Sequence, residues 1–141
     1  MSARQVVQGI RDGLFSAEDV VRACLAQIEE KEPQVQAWTH LDPEHALKQA
    51  RNADQLRSEG KPLGPLHGVP VGIKDVIDTR DMPTEDGTPL HSGRSPWQDA
   101  KVVDALRAAG AIILGKTVTT EMATMHPGKT RNPHNPEHTP G

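Results

Sequence analysis

The stretch PLHGVPVGIKDVIDT, residues Pro65–Thr79, places one lysine at the end of an apolar, glycine-interrupted run. Val69–Lys74 reads as a strand, and the Pro- and Gly-rich segment from Lys61 feeds it. Spacing alone leaves Lys74 two readings. It faces solvent or pairs with the adjacent Asp75, or it is desolvated between apolar flanks, with Gly72 admitting another backbone close by. Burial penalises the charged form of a lysine. Bringing an ordinary lysine from about 10.4 to about 7–8 takes roughly 4 kcal/mol. A neutral lysine of that kind serves as a general base.

On the N-terminal side, Ser16-Ala-Glu-Asp19 resembles a capping box. Apolar residues follow at Ala17, Val20, Val21, Cys24 and Ile28, predicting a helix that ends before Pro33. Asp42-Pro43 opens a second helix that runs towards Gly60, with the thin apolar face Ala46, Ala50, Ala53 and Leu56. Cys24 falls on the buried face of the first helix and reads as a small core residue.

On the C-terminal side, Thr79–Pro96 reads as a loop. Asp99 is expected to cap a third helix carrying Val102, Val103, Leu106 and Ala109, closed by Gly110. Ala111–Leu114 is a continuous apolar run, as in a strand covered on both faces. Strand, loop, helix and strand in this order predict an α/β sheet. His126–Gly141 contains four prolines and no periodicity, so it reads as a loop.

Composition sets bounds. The chain has 141 residues, 16 Lys plus Arg and 19 Asp plus Glu, for a formal charge of −3, too small to signal nucleic acid or an anionic membrane. One cysteine excludes an internal disulfide and suits a reducing, cytoplasmic setting. No apolar stretch reaches the length of a signal core or a membrane span. Aromatic residues make up 2%, so the core must be aliphatic.

Two motif matches lead away from the lysine. Gly110–Thr117 fits GxxxxGK[ST] to the letter, but its variable positions are Ala-Ile-Ile-Leu and a helix precedes it. A phosphate loop follows a strand, exposes its amides and opens a helix. Lys116 therefore reads as a residue at a strand's end. His134 and His138, with His126 and His91, invite a metal site, but Pro136 keeps the pair off a helix face and no acidic or thiol cluster joins them. No metal is expected.

The blocks PLHGVPVGIKD, DT with Pro83-Thr84, DAKVVDALRAAGAIILGKT, TTEMA and TRNPHNPEHTPG, taken in order, resemble the amidase signature family. That group includes bacterial amidases and the glutaminase subunit of tRNA amidotransferases. Arg80-Asp81-Met82 stands where many members have a glycine, and Glu121-Met122 where Glu-Phe is common. The resemblance implies a mixed β-sheet core wrapped by helices and a Ser–Ser–Lys hydrolase acting on a small-molecule amide. Residues 1–141 are then the N-terminal part of one amidase domain: helical over 1–60, the start of the α/β core over 61–125, and a loop over 126–141. Lys74 matches the family's base. Thr119, Thr120 and Met122 fall near the substrate pocket, and strand-end packing accounts for them equally well. No cofactor is implied. Further amidotransferase subunits and a charged tRNA are partners only if the protein is itself such a glutaminase subunit.

In the family a glycine- and serine-rich loop follows TPG and brings the bridging serine, the nucleophile and the oxyanion donors. Ser58, Ser92 and Ser95 lie in no matching motif. The 141 residues alone are thus expected to be inactive, and a non-catalytic relic that binds a partner is the rival reading. They would also leave a sheet edge and an apolar face open. The isolated segment is expected to be marginally stable and prone to aggregate. A sharp two-state thermal transition from a monomer would contradict this.

Overall fold

A computed structural model describes residues 1–140. Four helices and three strands alternate along the chain: α1 (Ala3–Arg11), α2 (Ala17–Val35), β1 (Trp38–Leu41), α3 (Pro43–Ser58), β2 (Pro70–Lys74), α4 (Lys101–Ala108) and β3 (Ile112–Thr117). The sheet order is β1-β3-β2, with β3 parallel to β2 and antiparallel to β1. The fold is the mixed α/β arrangement that the strand–helix–strand order implied.

The central strand is buried on both faces, as its apolar run required. Ile112 and Leu114 pack with Val69 and with side chains of α1, α2 and α3, among them Ile10, Val21, Leu47 and Ala50. Ile113 joins Ile73, Met82 and Val103 of α4 in a second, smaller core on the other face. The alternation along β3 is what a strand period of two residues produces. Cys24 packs against the larger core, and burial pushes its thiol up from the ordinary value.

The helix starts follow their capping chemistry. Ser16 accepts from Asp19 N while Asp19 accepts from Ser16 N, a complete capping box. The next amides of α2 are capped from a distance: Asp54 of α3 accepts from Ala17 N at 2.7 Å and Glu18 N at 3.0 Å. Asp42 caps α3 through His45 N, with Pro43 in the first turn.

Several expectations need correction. α2 does not stop before Pro33 but runs to Val35: the proline loses its own N–H bond and crowds the turn before it, yet the residues after it remain helical for the two positions left. Gln36 then turns left-handed, and the Glu32 carboxylate accepts from Ala37 N and Trp38 N at 3.0 and 2.9 Å. Two elements of the nominally helical first 60 residues were not anticipated. The first is α1, whose signals are the Ser2–Gln5 capping box and Val6, Val7 and Ile10 on one face. The second is β1, four residues too short to show a period.

Asp99 does not cap α4. Ala100 occupies the cap position, and the buried Asp99 carboxylate instead accepts from Arg80 N at 2.8 Å and Arg107 Nε at 3.0 Å. Charged donors outcompete a helix amide for a carboxylate.

The sheet carries one irregularity on each side of β3. Between β2 and β3 the register slips after Val71, so Gly72 lies beside Gly115. On the other side of β3, past the last pair with β1, the Ile113 backbone bonds to the Gln49 side chain of α3: its N–H donates to Oε1 at 3.1 Å and its carbonyl accepts from Nε2 at 3.0 Å. A second shift lies between Trp38 and His40 on β1. Gly115 sits at the crossing, where a Cβ would collide with His40 O and crowd Trp38. Gly115→Ala is expected to lower stability by about 1–3 kcal/mol, read as a drop in the thermal or urea midpoint.

Candidate active site

Lys74 ends β2, beside Thr117 near the end of β3. Ligands of open α/β sheets bind outside the carboxyl ends of their parallel strands. Here that place is a cleft of about 600 Å³. Its lining includes Lys74, Val118, Thr119, Thr120, Gly128 and Thr139. Two of the three pocket residues named from sequence, Thr119 and Thr120, thus share the cleft with Lys74. Thr119 is buried and donates its hydroxyl to Thr120 O at 2.9 Å.

Met122 is not among the cleft residues. It is left-handed at φ 48° and exposed. Its N–H donates to Asp86 O at 2.8 Å, which ties the residue to the loop that follows β2. Its place in the TTEMA block gave no sign of this, because a left-handed methionine has no sequence signal.

The desolvated reading of Lys74 is also not what the described residues show. Lys74 is exposed, and among those residues its ammonium has no ion-pair partner. Nor do its neighbours fit that reading fully. Gly72 makes room for the side chains of Thr117 and Trp38 rather than for a backbone.

The desolvated lysine is Lys116. It is completely buried inside β3 rather than exposed at a strand's end. Its ammonium donates to Pro83 O at 3.0 Å and to the Thr84 hydroxyl, and lies 3.4 Å from Asp75 Oδ1. Burial pushes its proton affinity below that of an ordinary lysine, and the charge of Asp75 partly offsets the effect. So Asp75 pairs with Lys116, not with its neighbour Lys74. The residues of the phosphate-loop match form a strand with a sequestered lysine, not a loop of exposed amides.

Asp75 is fixed on every side. Its N–H donates to Thr117 O at 3.0 Å, its carbonyl accepts from Asp86 N at 2.9 Å, and its carboxylate accepts from Glu85 N at 3.3–3.4 Å. Sequence reasoning missed this buried pair. The available signal was a lysine closing the apolar run Ile112–Gly115, which only a buried carboxylate partner makes tolerable.

The histidines of the last segment belong to loop geometry. His138 N donates to Asn135 O, and Asn132 N to His138 O. That loop is moored to the exit of α2, where Arg131 N donates to Val35 O and Thr130 Oγ1 to Gln36 O. None of Ser58, Ser92 and Ser95 lines the cleft. Among the described residues no helix is long and apolar enough to cross a membrane.

The family model described as Amidase matches residues 19–141. The chain belongs to the amidase signature family. The A subunit of glutamyl-tRNA(Gln) amidotransferase from Chloroflexus aggregans is 45% identical over 111 residues, covering 79% of this chain and 23% of the relative. Its counterpart from Rhodopirellula baltica is 40% identical over 146 residues, covering 99% of this chain and 29% of the relative. The chain therefore spans less than a third of the length of these curated relatives. Among solved structures, the peptide amidase from Stenotrophomonas maltophilia matches with a TM-score of 0.91 and 32% identity, over 99% of this chain and 31% of that one.

The buried pair gives this amidase segment a measurable signature. Lys116→Met leaves Asp75 buried and unpaired, and is expected to cost about 3–5 kcal/mol in unfolding free energy. Adding Asp75→Asn removes the stranded charge and should recover much of that loss in the same denaturation measurement.

Proposed function

We propose that this chain supplies the general base of a Ser–Ser–Lys amidase that hydrolyses non-peptide C–N bonds of small carboxamides. Lys74 is that base. The observation that carries the reading is its position, at the carboxyl end of a parallel strand, with its side chain lining an open cleft. Family membership supports the chemistry, and the relatives' names, a tRNA amidotransferase and a peptide amidase, support an amide as the bond attacked.

In this mechanism Lys74 accepts a proton from a bridging serine, which takes one from the nucleophilic serine as that serine attacks the amide carbonyl. The returning proton leaves with ammonia or an amine, and water then releases the acid from the acyl-enzyme. The cleft's hydroxyls are those of threonines, Thr119 and Thr120 among them, and no serine lines it among the described residues. On this reading the 141 residues alone do not turn over an amide. Partner subunits and a charged tRNA follow only if the protein is of the amidotransferase type.

The test begins by reading the gene past codon 141 and assaying the full-length product for ammonia release from primary carboxamides, from glutamine to C-terminally amidated peptides. Lys74→Ala is expected to lower kcat by about 10²–10⁴-fold, the usual worth of a general base, without moving the melting temperature. Unchanged turnover would remove Lys74 from the mechanism. A stop codon directly after Gly141 would instead favour the non-catalytic, partner-binding reading.

A further inference from the structure

Replacing a buried ion pair by apolar side chains is often neutral or stabilising, so packing does not explain why Lys116 and Asp75 are charged. Their location offers an explanation. Asp75 directly follows Lys74, and its N–H, carbonyl and carboxylate are all bonded. The fourth restraint on it is the Lys116 ammonium. Lys74 itself is exposed, so little but its backbone determines where it starts from.

The two lysines work from opposite sides of the sheet. Lys116 lies beside Ile73 in the register and Lys74 beside Thr117, and successive strand residues face opposite ways. One ammonium opens into the cleft, and the other is sealed beneath the same strand end.

We propose that Lys116, acting through Asp75, is a positioning residue for Lys74. The sealed cation anchors the Asp75 carboxylate, and the anchored residue 75 fixes the peptide that aims Lys74 into the cleft. The proposal rests on the reading of Lys74 as the base.

Other charged groups face this pair, and each has a partner of its own. On the turn after β2, Asp78 is held by Arg94 at 2.7 and 2.9 Å. On the following loop, Asp86 is held by His91 at 2.7 Å and Glu85 accepts from Gly93 N at 2.6 Å. After β3, Glu121 accepts from the Thr88 hydroxyl at 2.7 Å. Each of these groups is thus satisfied without drawing on the Lys116–Asp75 pair.

The experiment uses the full-length gene product and the same carboxamide panel, with Lys116→Met, Asp75→Asn and Lys74→Ala made in parallel and checked for folding. Lys116→Met and Asp75→Asn are each expected to lower kcat about ten- to a hundredfold, the scale of a small misplacement of a catalytic group. KM should stay within about threefold, since substrate binding is not the lost interaction.

Folded variants with unchanged kcat, or with the loss falling on KM instead, would overturn the proposal, because a positioning role shows in kcat at constant substrate binding. If Lys116→Met does not fold, Thr84→Val decides. It removes one acceptor of Lys116 without stranding a charge, and should lower kcat a fewfold at unchanged KM; an unaltered kcat would overturn the proposal. Lys74→Ala separates the two ideas. Activity retained in that variant defeats the reading of the base, whereas its loss beside a normal Lys116→Met defeats only the positioning role.

Discussion

A single buried cation organises the region around the cleft. Lys116 lies within the central strand, where no water reaches it, and an ammonium there is tolerable only if all of its protons are met. Pro83, Thr84 and Asp75 meet them. That requirement draws the loop after β2 back against the sheet and ties it to the strand end from which Lys74 projects. The loop then carries its own pairs, Asp78 with Arg94 and Asp86 with His91, and through Asp86 it holds Met122. The long connection is thereby held by these polar ties together with the packing of Ile77 and Met82 against the smaller core.

The larger core follows a different logic. Its side chains are small and aliphatic, Ala17, Ala46, Ala50 and Ala53 among them, so helices approach one another and the sheet closely. A chain with almost no aromatic residues builds this core from alanine, valine, isoleucine and leucine, with Phe15 and Trp38 packed against it. The Gln49 side chain shows the consequence. It lies near enough to β3 to supply both hydrogen bonds to the Ile113 backbone, beyond the last β1–β3 pair at Leu41 and Gly115.

Elements with a period or a cap were legible in the sequence. β3 showed itself by an apolar run, and α2 and α3 by Ser16 and Asp42. What escaped was long-range or local in a way that leaves no period. β1 is four residues long, and its partner β3 lies far along the chain, Leu41 beside Gly115. The role of Asp99 depended on which donors would arrive, Arg80 and Arg107, and no spacing announces that. The burial considered for Lys74 belonged to Lys116, because apolar neighbours in sequence do not say which of two lysines the sheet will cover.

The cap that Asp54 places on α2 also bears on the order of assembly. It joins residues 36 and 37 positions apart, all of them N-terminal to β2 and β3. The helical layer can therefore close before the strands that will rest on it have been synthesised. At about 5–20 residues per second, the end of β3 at Thr117 follows Asp54 by roughly 3–13 s. During that interval the paired helices present an apolar face with no sheet against it, so the growing chain's exposure to wrong partners is set by the pace of translation.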